Sequence, residues 1–76
     1  MGREWTGKRY ALYLFHYKAP DDEDPLLMAD MDTLAEAFEW MQTNGPRMRR
    51  HMQPNGTFIE LLDWTQGATI HWLRVG

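Results

Sequence analysis

Apolar residues run almost unbroken through Lys8–Lys18, KRYALYLFHYK, the longest stretch of strand-forming residues in the chain. At a strand's two-residue period, Tyr10, Leu12, Leu14 and His16 share one face, while Ala11, Tyr13, Phe15 and Tyr17 share the other. Both faces are apolar, so this strand is expected at the centre of a sheet. Only one good helical pattern accompanies it. One sheet face is therefore expected under a helix and the other, rich in aromatic rings, left open.

Ala19–Pro25, APDDEDP, breaks the pattern with two prolines around four consecutive acids, a composition that neither strand nor helix accommodates well. Leu26, Leu27 and Met28 then read either as an extended segment forming a hairpin with the first strand or as the approach to the helix. The helix itself is marked by Thr33 and Glu36 in capping-box spacing, with Asp30 and Asp32 placed where negative charge suits the helix dipole. Leu34, Ala37, Phe38 and Met41 follow at i, i+3, i+4 and i+7, and Trp40 falls on the flank of that stripe as a boundary packer. Asn44-Gly45-Pro46 is expected to end the helix, through a left-handed residue followed by a proline that prevents continuation.

Pro46–Gln53, PRMRRHMQ, carries two patterns. As a helix it has Pro at the first position and Met48 with Met52 on one face. As a strand or irregular approach, the favoured reading, it pairs with Thr57 onward across Asn55-Gly56. Thr57–Trp64 and Thr69–Val75 are strands joined by a turn over Thr65–Ala68. The predicted fold is α+β: a two-layer sandwich with a mainly antiparallel sheet of 3–5 strands and one main helix on one face. The core order is β-α-β-β, with an extra strand possible on either side of the helix.

The length allows one small domain, 1–76, with residues 1–7 as a flexible lead and Trp5 folding back onto the domain edge. A chain of this size buries only about 60% of its unfolded surface, so self-association would help it. No cysteine is present, which removes disulfides and thiolate metal sites. There is no apolar run of membrane-spanning length and no signal-peptide pattern, so a cytoplasmic protein without membrane attachment is expected.

Charge is strongly segregated along the chain. Eight acids and no Lys or Arg lie between Asp21 and Glu39, whereas Pro46 to the end carries Arg47, Arg49, Arg50 and Arg74 against Glu60 and Asp63. Such a run is commonly a solvated face. It also makes Asp21, Asp22, Glu23, Asp24, Glu36 and Glu39 candidates for a negative surface that fits the basic groove of a nucleic-acid-handling protein. In size, charge and architecture the chain resembles the small acidic proteins with which phages and mobile elements block host machinery. That resemblance implies an inhibitor or adaptor.

Chemistry is sparse. Serine and cysteine are absent, the six threonines sit in no nucleophile motif, and His16, His51 and His71 lack metal-ligand spacing. The DDED run has neither the glycine nor the spaced ligands of a calcium loop. Glu60 and Asp63, at odd spacing, fall on opposite faces of one strand. No cofactor, metal or catalytic residue is predicted, and the chain reads as a non-enzyme.

The other binding candidates are aromatic and basic. Tyr13, Phe15 and Tyr17, with Trp72 from a neighbouring strand, could stack unpaired bases while Arg47, Arg49 and Arg50 hold the backbone. Net charge of −3 counts against that reading, since nucleic-acid binders carry a basic footprint. The same aromatic face would also serve as a homodimer or assembly interface. A protein partner with a basic surface is the leading expectation.

Overall fold

The computed structural model describes residues 4–16, 25–51 and 57–75. They form β1 (Tyr10–His16), β2 (Leu26–Met31), α1 (Leu34–His51), β3 (Thr57–Asp63) and β4 (Ala68–Arg74). The strands make one sheet in the order β2-β1-β3-β4, with every neighbouring pair antiparallel. α1 packs on one face, which gives the two-layer α+β arrangement the sequence predicts. The extra strand before the helix is β2, paired with β1 as a hairpin.

β2 and β3 both run opposite to β1 and hence parallel to each other. α1 is therefore the crossover between them, passing over β1 in a split β-α-β unit. Register builds the core beneath it: Leu12 lies opposite Ala29 and Leu61, and Leu14 opposite Leu26 and Ile59. Leu12, Ile59 and Leu61 are fully buried with Ala37 and Met41 of α1. Each large aliphatic side chain buried there contributes on the order of 1.5–3 kcal/mol.

The helix starts as predicted. The Thr33 hydroxyl accepts the Glu36 N–H at 3.2 Å and donates its own proton to the Glu36 carboxylate at 2.9 Å. Its buried stripe, however, is turned from the expected one. Ala37 and Met41 are buried with Trp40 and Met48 packed beside them, while Leu34 and Phe38 remain 39% and 37% exposed. The physical reason is position: α1 sits mainly over β1 and β2, which leaves Phe38 on the flank that faces β4.

The expected stop at Asn44-Gly45-Pro46 is overturned, since α1 continues through all three residues to His51. Pro46 removes one backbone donor and crowds the Gln42 carbonyl, a cost that packing outweighs. Asn44 does not adopt a terminating role; its side-chain amide donates to the Trp40 carbonyl at 3.0 Å. Gly45 is buried, and a Cβ there would lie 3.1 Å from Leu73 Cδ2. The glycine therefore lets the helix approach β4 rather than letting the chain turn. Met48 extends the core contact one turn further. Residues 46–51 are thus helix and not a strand, and Asn55 and Gly56 lie outside the described residues.

Candidate functional site

The sheet face away from α1 divides into a covered end and an open end. At the covered end, Ala11, Tyr13 and Leu62 form a second small cluster with Trp64 packed against it. Tyr13, expected on an open surface, is only 3% exposed, and its hydroxyl donates to the Glu4 carbonyl at 3.4 Å. The residues ahead of β1 lie over this part of the face. They are held by further bonds: Trp5 Nε1 to the Lys8 carbonyl at 3.1 Å, and a Lys8–Asp32 ion pair at 3.4 Å. Trp5 itself is 69% exposed.

At the open end the register sets Phe15 directly opposite Phe58, and Trp72 meets both rings edge-on. The centroid distances are 5.9 Å to Phe15 and 6.3 Å to Phe58, within the range of favourable aromatic pairs. Trp72 is 49% exposed. Phe58 was not among the residues predicted for this surface. Its alternation with Ile59 placed it on the outer face, but only the β1–β3 register brings it beside Phe15. Tyr17 lies outside the described residues.

Glu60 lies between Tyr13 and Trp72 in the same row of the sheet and is 2% exposed. One of its carboxylate oxygens accepts the Thr69 hydroxyl at 2.8 Å. Asp63, on the opposite face as its spacing predicts, is 1% exposed and gathers donors from three residues in two parts of the chain. Arg9 approaches it through Nε and Nη2, both at 3.3 Å, the Thr65 N–H at 2.9 Å and Gln66 Nε2 at 3.0 Å. The Arg9 guanidinium, helped by the Thr65 N–H, holds the Asp63 carboxyl below its ordinary range despite the opposing effect of burial. This cluster organises the β3–β4 turn, where the Asp63 carbonyl also accepts the Gly67 N–H at 2.8 Å and Gly67 takes φ +65°.

The predicted charged surfaces are only partly visible. Glu36 and Glu39 stand exposed on α1, whereas Asp21, Asp22, Glu23 and Asp24 lie outside the described residues. Arg47 is exposed on α1, and Arg49 and Arg50 follow on the same helix. That helix is on the far side of the sheet from Phe15, Phe58 and Trp72. The arginines and the aromatic face, joined in the nucleic-acid reading, are thus in different layers.

Among the described residues, no three His, Asp or Glu side chains gather as a metal site. Nor is any described helix long and apolar enough to cross a membrane. His71 packs edge-on against Phe38 at 5.3 Å. Both line a groove of about 310 Å³ between α1 and β4. No protein-family model, curated protein or solved structure matches the chain.

Proposed function

We propose that this protein is a non-enzymatic binding module that docks onto another protein, with Trp72 at the centre of the contact. The observation that carries this reading is the half-exposed indole wedged against Phe15 and Phe58 on a sheet face that α1 does not cover. Tryptophan is the residue type most enriched where interfaces concentrate their energy. An indole already fixed by two neighbouring rings loses little rotamer freedom on binding, so more of its contact energy is expressed as affinity. The partner this face fits offers an apolar pocket of aromatic size.

The exposed Glu36 and Glu39 support a second reading, an acidic inhibitor or adaptor that engages the basic surface of a nucleic-acid-handling protein. Nucleic acid itself is the weaker partner on geometric grounds, because Tyr13 is buried and the arginines lie in the other layer.

Capture from nuclease-treated lysate of the source organism separates these readings. Wild type and the pair Glu36→Lys with Glu39→Lys are expected to retain the same protein, and Trp72→Lys to lose it while keeping wild-type circular dichroism. Loss with the glutamate reversals and retention with Trp72→Lys would replace the aromatic reading with the acidic one.

A further inference from the structure

The covered and open ends of the outer sheet face belong to one surface. Ala11 lies opposite Leu62, Tyr13 opposite Glu60 and Phe15 opposite Phe58, so the two ends follow one another along β1 and β3 without a break. What distinguishes them is residues 4–8, which lie over the first and leave the second bare.

Those residues are held far less firmly than the sheet beneath them. The Trp64 N–H donates to the Arg9 carbonyl at 2.8 Å, and among the described residues no backbone–backbone bond precedes it. Ahead of Arg9 the chain bends at Gly7, whose φ of +95° a residue with a side chain adopts only under strain. A Cβ on Gly7 would meet nothing within 4 Å, so the glycine serves the bend and not the packing. The tethers beyond the bend are weak. The Tyr13 hydroxyl reaches the Glu4 carbonyl at 3.4 Å, longer than an ordinary O–H···O bond, and the Lys8–Asp32 pair is exposed. The Trp5 indole bonds only to Lys8, within the same segment.

Closure also carries a cost. Thr6 Oγ1, on the segment, and Trp64 Nε1, packed against the cluster beneath it, are buried with no hydrogen-bond partner among the described residues. Each such group loses its bonds to water, a penalty at least as large as the gain from one ordinary hydrogen bond. Weak tethers are thus set against a desolvation cost that release would relieve.

We propose that residues 4–8 are a detachable strap, which opens about Gly7 while the sheet stays folded and masks the covered end of the docking surface. Release joins Ala11, Tyr13, Leu62 and Trp64 to Phe15, Phe58 and Trp72. Opening is a property of the free protein, whereas the strap's inhibitory role rests on the docking reading given above.

The chain contains no cysteine, so one introduced thiol is read alone. Leu62→Cys reports the face under the strap, and Leu61→Cys, its neighbour on β3, reports the core under α1. Dithiobisnitrobenzoate should label Leu62→Cys at a rate nearly independent of urea at low concentration. Leu61→Cys should react only through unfolding of the whole domain, with a steep dependence on urea. Added to Leu62→Cys, Gly7→Ala should speed labelling at least about fivefold. Thr6→Val keeps the shape but removes the unpaired hydroxyl, and should slow labelling by about the same factor. Binding of the apolar dye anilinonaphthalene sulfonate to the cysteine-free protein should rise with Gly7→Ala and fall with Thr6→Val.

The same urea dependence for Leu62→Cys and Leu61→Cys would overturn the strap, since the face would then open only by global unfolding. So would labelling that neither Gly7→Ala nor Thr6→Val changes. Dye binding equal in both variants and wild type would overturn the masking. None of these readouts uses a partner captured through Trp72, so failure of the strap and failure of the docking reading are seen separately.

Discussion

Asp63 draws together Arg9, Thr65 and Gln66, residues up to 54 positions away. Its depressed carboxyl pKa gives stability a defined pH dependence. The contribution is complete above the ordinary carboxyl value, near pH 4, and is lost as pH falls through the lower folded-state value. Asp63→Asn should therefore lower the melting temperature at neutral pH, with the gap to wild type closing as the solution is acidified below about pH 4. A gap of constant size across that range would show that charge at Asp63 is not what the fold uses. Nothing in the sequence announced this pair. Arg9 directly precedes β1 and Asp63 ends β3, and only the register that sets Tyr10 against Asp63 makes them neighbours. Residues whose role follows from local chemistry were legible, as with Thr33 and Glu36; those whose role depends on pairing, such as Phe58, were not.

At the scale of elements, α1 shows how tertiary packing overrides local stop signals. Asn-Gly-Pro is a strong terminator by propensity, yet it lies within the helix because Gly45 meets Leu73 and Met48 reaches the core. That arrangement predicts a stabilising substitution. Pro46→Ala should restore a donor to the Gln42 carbonyl and relieve the ring contact. The expected gain is about 2 kcal/mol after allowing for the looser unfolded chain. For a domain of this size it corresponds to a rise of roughly 8–16 °C in melting temperature by thermal unfolding. A fall would mean that the proline ring supports the groove wall more than it strains the helix. The strands were easier to read than the helix end, since alternation over β1, β3 and β4 survives whatever the partners are. Positions 46–51 were ambiguous for a physical reason: methionines spaced four apart and arginines between them satisfy a helix, and their short run between Pro46 and Asn55-Gly56 also suits a hairpin.

For the molecule as a whole, the two binding readings differ in thermodynamics. Docking through Trp72 should show a negative heat-capacity change and an affinity that varies little between about 0.05 and 0.5 M salt. An acidic surface meeting a basic partner should lose affinity steeply over the same range. Calorimetry with the captured partner decides, and a steep salt dependence with little heat-capacity change would count against the aromatic face.

Strand order also governs the chain as it is synthesised. β1 is made first, yet one of its two neighbours, β3, is completed only at residue 63. Until β3 is made, one edge of an uncharged seven-residue segment, YALYLFH, therefore lacks its native partner strand. Such a segment is a template for pairing between nascent chains. A ribosome stalled between β2 and β3 would hold the protein in its most adhesive form, and rapid passage through the helix-coding region would protect it.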